Sequence, residues 1–99
     1  TIPINNLLYI EAQKNNVSVC FVKDNVPTAV TIHTTLTAVT AALKDYGNVF
    51  QCHRSFVVNV NNITSARGNS NGYQLTLGTC TDVIPVSRSY VPRLRSFIS

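Results

Sequence analysis

The chain has 99 residues, a length that suits one small domain with a single hydrophobic core. Hydrophobic residues make up 44% of it, which excludes a wholly disordered chain, and no apolar run is long enough to cross a membrane. Charged residues are scarce, at 12%, and the net charge of +4 lies entirely in residues 50–99, where five arginines face one aspartate. Arginines concentrated in this way favour a polyanionic partner.

Apolar residues predict three strands at the start of the chain, at residues 7–10, 17–23 and 26–32. The polar turn Lys14-Asn15-Asn16 joins the first two strands. Asp24-Asn25 is typical of the tip of a hairpin between the second and the third. Pro27 cannot donate a hydrogen bond, so the third strand is expected at an edge of its sheet.

The spacing of apolar residues then changes from that of a strand to that of a helix. Leu36, Val39 and Leu43 recur every three or four residues, with Thr34 or Thr35 as the N-cap. Gly47 follows the pattern and is expected to stop the helix. The segment predicts one short amphipathic helix of about three turns.

Strand character returns in the second half, at residues 49–52, 55–60, 63–67, 73–77 and 82–85. Residues 68–72, Gly-Asn-Ser-Asn-Gly, are typical of a hairpin loop. Ser87 or Ser89 is expected to cap a short C-terminal helix, in which Pro92 fits only in the first turn. Its apolar face contains Val91, Leu94 and Ile98. The chain is therefore predicted to be mainly β, with one short amphipathic helix and a short C-terminal helix.

Residues that could support catalysis or bind a metal are few and scattered. The chain has four acidic residues and two histidines, and it contains no nucleophile, phosphate-loop or zinc-protease motif. Cys52 and His53 are neighbours and would face opposite sides of a strand, so a catalytic Cys52 would need His33 as its base. The odd, widely spaced set Cys20, Cys52 and Cys80 favours reduced thiols. We expect no enzymatic activity, no metal site and no cofactor.

Two strand ends in the second half each present an arginine beside serine. These are His53-Arg54-Ser55 and Ser87-Arg88-Ser89. A guanidinium carries parallel donors that fit a phosphate or the edge of a guanine. Asp82 is the only acid in this half, so ion pairs within it are scarce. The two tripeptides therefore suggest contacts with the phosphates and bases of a nucleic acid.

The same segments resemble a known family. Tyr-Ile-Glu-Ala at residues 9–12, His-Arg-Ser-Phe-Val-Val-Asn-Val at 53–60 and Ile-Pro-Val-Ser-Arg-Ser-Tyr at 84–90 are similar, in order and spacing, to the LytTR DNA-binding domain. That domain is the output module of many bacterial response regulators, and the resemblance covers about residues 7–98. It implies small antiparallel β-sheets whose loops enter the major groove of DNA.

The resemblance also implies which residues contact DNA. Arg54 and Arg88 occupy two of the contact positions, and one residue of the turn Lys14-Asn15-Asn16 occupies the third. Ser55 and Ser89 are implied as phosphate donors and Arg67 as a contact to the DNA backbone. The resemblance further implies binding as pairs to direct repeats, as is usual in the family, and a receiver or other regulatory domain in the full-length chain. We therefore expect double-stranded DNA and a second copy on that DNA as partners, no membrane, and a cytoplasmic location.

Other conspicuous side chains are interpreted as structural. Glu11, Asn59 and Asn62 are expected to bond backbone groups. Tyr73 and Tyr90 are expected in the core or at its rim. His33 is assigned to structure, while His53 is left between a structural role and a phosphate contact.

These observations predict that residues 1–99 form a single DNA-binding domain of a bacterial transcriptional regulator. The chain begins with Thr1 and has no Met, so we expect it to be a piece of a longer protein. One alternative is a β-rich protein–protein signalling module that keeps the fold without binding DNA. Another is a single-stranded nucleic-acid binder, which would need exposed aromatic residues between its basic groups. The first alternative is tested by whether Arg54 and Arg88 share an exposed face with Lys14.

Overall fold

A computed structural model of the chain describes residues 4–69, 72–78 and 83–98. Its strands are β1 (Leu7–Ala12), β2 (Val17–Lys23), β3 (Val26–Ile32), β4 (Val49–His53), β5 (Phe56–Asn59), β6 (Ile63–Asn69), β7 (Gly72–Leu77) and β8 (Val83–Val86). Its α-helices are α1 (Leu36–Ala42) and α2 (Val91–Ile98), and 3-10 turns lie at Ile4–Asn6, Val60–Asn62 and Arg88–Tyr90. The strands form an antiparallel sheet of order β3-β2-β1-β5-β4 and a second one of order β6-β7-β8. The prediction of a mainly β fold with small antiparallel sheets and short helices is confirmed.

The five-stranded sheet is covered on both faces at strands β2, β1, β5 and β4, whereas its edge strand β3 is largely exposed. One face packs against the three-stranded sheet and α2, where Cys52, Leu75, Leu77 and Leu94 are fully buried. The other face packs against α1, whose Leu36 meets Val17 and Val57 of the sheet. The two faces thus form two separate hydrophobic clusters, which position the loops at the ends of the strands.

Strand β1 contributes to both clusters, and a bulge interrupts the alternation of its side chains. Leu7 pairs with Phe21 and Tyr9 pairs with Cys20, so the register shifts between Leu7 and Tyr9. Leu7 and Ile10 face α1, whereas Leu8 and Tyr9 face the second sheet. The extra residue explains why an uninterrupted apolar run is buried on both sides without strict alternation.

The β2–β3 hairpin follows the prediction. Asp24 and Asn25 have positive φ angles of 53° and 67°, as the two-residue turns that join antiparallel strands require. Strand β3, which contains Pro27, lies at the edge of the five-stranded sheet.

Helix α1 is shorter than predicted and ends differently. Thr35 is the N-cap, and its hydroxyl oxygen accepts a hydrogen bond from the Ala38 N–H at 3.1 Å. The helix ends at Ala42 after two turns. Leu43 donates its N–H to Val39, and the Tyr46 N–H then bonds the Leu43 carbonyl in a turn. Gly47 lies beyond this turn without a positive φ, so the prediction that it stops the helix is wrong.

The C-terminal part agrees with the predicted elements and differs in detail. The paired strands β6 and β7 extend to Asn69 and Gly72, closer to the hairpin tip than predicted, while Ser70 and Asn71 lie outside the described residues. The predicted Asp82 start of β8 also lies outside them. Ser87 precedes the 3-10 turn without a capping hydrogen bond from its side chain. Pro92 lies in the first turn of α2, as predicted.

Cys20 and Cys52 are buried cysteines that form no disulfide, and Cys80 lies outside the described residues. The Cys52 Sγ lies 3.6 Å from the carbonyl oxygen of Pro85, to which it donates. Burial raises the pKa of the Cys52 thiol from 9.0 to about 12, against a smaller lowering by a backbone hydrogen bond. Cys52 is therefore held as a neutral thiol in the core.

We expect native Cys52 to resist iodoacetamide at about pH 8 and to react after unfolding, because only the thiolate attacks. Its folded pKa exceeds the unfolded one, so its stabilising contribution is complete below pH 9.0 and is lost as the pH rises to about 12. Cys52→Ala should show a smaller loss of unfolding free energy across this window. Site-resolved mass spectrometry and denaturant titrations measure both effects. Rapid alkylation of Cys52 in the folded protein would contradict the prediction.

Candidate nucleic-acid interface

Two of the predicted DNA-contacting turns lie at the same end of the five-stranded sheet. Strand β1 is antiparallel to both β2 and β5, so the turn that leaves β1 lies beside the turn that enters β5. The Ala12 N–H donates to the Ser55 carbonyl oxygen at 2.7 Å, and the Gln13 N–H donates to Asn16 at 2.8 Å. The turn of residues 13–16 is therefore held next to the Arg54-Ser55 turn.

The third predicted segment is fixed to the same end of the sheet by the neighbouring strand. The Ser87 N–H donates to the Cys52 carbonyl oxygen at 3.0 Å, and the Cys52 thiol donates to Pro85. Cys52 lies two residues before Arg54, and Arg88 directly follows Ser87. All three predicted loops thus lie along one edge of the protein, which we call the loop edge: residues 13–16, 54–55 and 87–89.

The basic side chains of the loop edge are exposed. Lys14, Arg54 and Arg88 face solvent. Within residues 4–69, 72–78 and 83–98, neither guanidinium makes a hydrogen bond or an ion pair. A guanidinium held by a rigid turn and not paired within the described protein can bind a phosphate or a base edge without first breaking an internal contact.

The neutral residues of the loop edge differ in their exposure to solvent. Asn15 and Ser89 are exposed, whereas Asn16 and Ser55 are half-buried. The Asn16 Oδ1 lies 2.9 Å from the Nδ1 of His33, in hydrogen-bond contact. This contact agrees with the structural role predicted for His33. It also leaves Lys14 and Asn15 as the more available residues of the first turn.

His53, whose role the sequence leaves open, supports the turn that carries Arg54. The Ser55 N–H donates to the Nδ1 of His53 at 3.1 Å, so this nitrogen is an acceptor. The imidazole also packs edge-on against Phe56, with the ring centroids 5.7 Å apart. His53 therefore positions the Arg54-Ser55 turn.

Arg67 lies away from the three loops. It pairs with Gln74, and Gln74 pairs with Pro85, across the three-stranded sheet. In the adjacent pair, Ala66 and Leu75, the Leu75 side chain is buried in the core. Because side chains alternate between the two faces along a strand, Arg67 projects from the opposite, outer face. The structure does not bring Arg67 together with Arg88, and its contact with the DNA backbone stays a prediction.

A groove that the sequence did not predict adjoins Arg88. It has a volume of about 480 Å³ and lies between the β6–β7 hairpin and α2. Its lining residues are Gly68, Gly72, Tyr73, Arg88, Val91, Pro92 and Arg95. The four-residue spacing of Val91 and Arg95 places both on one side of a helix. This spacing is the only feature of the sequence that points to the groove.

The asparagines interpreted as structural are confirmed in that role. Asn59 is fully buried; its Nδ2 donates to the Ile4 carbonyl oxygen, and its Oδ1 accepts from the Asn48 side chain and the Asn61 N–H. The Asn62 Nδ2 donates to the carbonyl oxygens of Asn5 and Leu7. Asn59 therefore ties β5 to the loops around it at the end of the strand opposite Arg54.

The tyrosine predictions also hold, whereas the one for Glu11 does not. Tyr73 and Tyr90 both pack against the core cluster between the sheets, and the ring of Tyr90 meets Phe50 edge-on. The Glu11 side chain makes no hydrogen bond within the described residues, so the predicted bond from its carboxylate to backbone groups is wrong. It pairs with Ser18 and Phe56 on neighbouring strands, where all nearby backbone groups belong to the sheet.

Comparison with known proteins relates this geometry to a family. The family model of the LytTr DNA-binding domain matches residues 1–99. A solved structure described as the LytTr DNA-binding domain of a methyl-accepting/DNA response regulator from Bacillus cereus superposes with a TM-score of 0.80 and 25% sequence identity. The match covers 99% of this chain and 85% of that chain. Comparison with curated protein sequences finds no match. No helix among the described residues is long and apolar enough to cross a membrane.

Proposed function

The chain belongs to the LytTr DNA-binding domain family, and from this premise we propose that it recognises specific sequences in duplex DNA for a bacterial transcriptional regulator of the response-regulator type. DNA binding as the family's function agrees with the prediction that the chain is not an enzyme. The observation that carries the proposal is the loop edge, which gathers Lys14, Arg54 and Arg88 at one side of the protein.

In this proposal the three loops have separate roles. Arg88 donates to the edge of a guanine in the major groove, and Arg54 donates to a base or to the adjoining phosphate. Lys14 or Asn15 makes the third contact. The serines Ser55 and Ser89 donate to phosphates, and Arg67 reaches the DNA backbone at the periphery.

Membership of the family suggests an arrangement beyond one domain. We propose that residues 1–99 act as one domain of a longer cytoplasmic regulator that carries a receiver or another regulatory domain. Two copies would bind neighbouring half-sites of a direct repeat. The B. cereus relative, whose description names a response regulator, supports this context.

The two alternative functions receive less support. A protein–protein module has no need to gather unpaired arginines on one edge of the protein. A single-stranded nucleic-acid binder would place aromatic rings beside those arginines. The exposed aromatic residues in the described part of the chain are Tyr46, after α1, and Phe97, on α2, and neither belongs to the loop edge.

We expect affinity for a duplex site obtained by binding-site selection, called the selected duplex below, to fall steeply with salt concentration. The slope of log K against log salt should be about −3 to −6, because each phosphate neutralised contributes roughly −0.9. Fluorescence anisotropy on labelled duplexes at several salt concentrations measures this slope.

The matched control is Lys23→Ala, which removes an exposed positive charge from the far end of β2 and should leave the slope unchanged. Arg54→Ala should make the slope shallower. A flat salt response, equal affinity for random duplexes, or a preference for single strands would contradict the proposed function.

A further inference from the structure

We propose that the groove between the β6–β7 hairpin and α2 binds one backbone phosphate of the DNA, through Arg95 and the hydroxyl of Tyr73. This inference rests on the proposed function and assigns a contact outside the loops that carry the family resemblance. The phosphate belongs to the nucleotide next to the base that Arg88 contacts, because Arg88 forms part of the same groove.

One wall of the groove depends on two glycines that let the hairpin approach Arg88. A Cβ atom at Gly68 would lie 2.6 Å from the Cε1 of Tyr73, so the absence of a side chain lets the tyrosine ring lie across this strand. Gly72 has a φ of +133°, and a Cβ there would collide with the Val86 carbonyl oxygen. Position 72 therefore requires glycine next to Val86, and glycine at position 68 leaves the space that the Tyr73 ring occupies.

The opposite wall is the first part of α2, which is anchored in the core. Leu94 is fully buried between the sheets, and Phe97 packs against Phe50 with the ring centroids 5.3 Å apart. Val91 and Arg95 are one helical turn apart and both line the groove. Arg95 is thus presented to the groove by a rigid element.

The chemistry of the lining suits a phosphodiester. Among the described residues the groove contains two guanidinium groups and one phenol, and it contains no acidic side chain. Both guanidinium groups and the phenol can donate hydrogen bonds to phosphate oxygens. The groove is open to solvent, and its volume of about 480 Å³ accommodates a phosphate together with part of its sugar.

Arg93 provides a matched control on the same helix. It carries the same charge and is also exposed, but it does not line the groove. Two residues in an α-helix are separated by about 200° around the axis, so Arg93 and Arg95 point to different sides of α2. A general electrostatic effect would make the two arginines equivalent, whereas the proposed contact makes them different.

The first experiment compares Arg95→Ala with Arg93→Ala on the selected duplex. We expect Arg95→Ala to weaken binding about tenfold and to make the salt slope shallower by roughly 0.9, as for one lost phosphate contact. Arg93→Ala should leave the slope unchanged. Arg95→Lys keeps the charge and should retain part of the affinity. Thermal unfolding of each variant shows that the comparison is made between folded proteins.

The second experiment locates the phosphate. Duplexes that carry a single neutral methylphosphonate are tested at each backbone position in turn. At one position the methylphosphonate should lower the affinity of the wild-type protein about tenfold relative to the unmodified duplex. The same modification should not lower the affinity of Arg95→Ala. Tyr73→Phe should give a smaller loss at the same position.

The outcomes separate the groove from the function of the domain. If Arg95→Ala and Arg93→Ala behave alike, or if Arg95→Ala remains sensitive to every methylphosphonate that affects the wild type, the groove is not a phosphate site. If the wild-type domain binds the selected duplex and Arg88→Ala weakens that binding, the proposed function stands without the groove. If the wild-type domain shows no duplex binding at all, both proposals are overturned.

Discussion

Arg88→Lys is expected to lose about 1–3 kcal/mol of binding free energy on the preferred duplex and little on random duplexes. The substitution keeps the positive charge, so attraction to the DNA backbone is retained. It removes the planar group whose two parallel donors can meet the two acceptors of a guanine edge. Arg88 is exposed and unpaired among the described residues, so the change disturbs no internal contact there.

The measurement is the affinity for the selected site and for a panel of single-base variants, all at one salt concentration. Arg88→Lys should flatten the preference at one base pair. Arg93→Lys is the control, because it makes the same chemical change on the far side of α2 and should affect no position. If the Arg54 guanidinium contacts a base, Arg54→Ala should flatten the preference at a second base pair. If it contacts only a phosphate, Arg54→Ala should weaken binding to all sequences equally. Unchanged affinity and base preference in Arg88→Lys would show that Arg88 does not contact a base.

Asn59→Ala is expected to lower the free energy of unfolding by about 2–3 kcal/mol. The side chain is fully buried and makes three hydrogen bonds, to Ile4, Asn48 and Asn61. Alanine would leave their polar groups without partners where water has little access. In a chain of this size the loss corresponds to a fall in Tm of roughly 10–20 °C.

The neighbouring substitution Asn61→Ala is the matched control. Asn61 is exposed, and only its backbone N–H contacts Asn59, so its side chain can be removed without breaking that bond. Urea denaturation and thermal scans measure the difference between the two variants. Folded Asn59→Ala should bind DNA normally, since Asn59 lies at the end of β5 opposite the loop edge. Equal stability of the two variants would show that the buried network contributes little.

Several features could be predicted from short stretches of sequence, because their causes are local. The alternation in residues 17–23 produces a strand with two distinct faces. Asp24-Asn25 produces the hairpin turn, since these residues tolerate positive φ. The hydroxyl of Thr35 begins α1. The arginine-serine tripeptides were equally visible, because each is a contiguous segment with a recognisable donor chemistry.

The end of α1 shows where local reasoning fails. A glycine after an apolar repeat usually ends a helix, yet α1 ends at Ala42, well before Gly47. The following turn is held by the bond between Tyr46 and Leu43. Leu36 and the partly buried Val39 pack on the sheet from the helix, and Leu43 packs on the same cluster from the turn that follows. Tertiary contacts thus set the helix length in place of the terminal glycine.

Neighbouring residues specify the strands, the hairpin turn, the helix start and the excess of arginine in the second half, so these features could be predicted from the chain alone. Which of those arginines lie together depends on contacts between distant segments of the fold. Cys52 and Pro85, separated by 33 residues, meet through the bond that brings Arg88 beside the Arg54 turn. Packing between the β6–β7 hairpin and α2 likewise places Tyr73 and Arg95 in one groove. Such contacts depend on register and packing between distant strands, which no local pattern encodes.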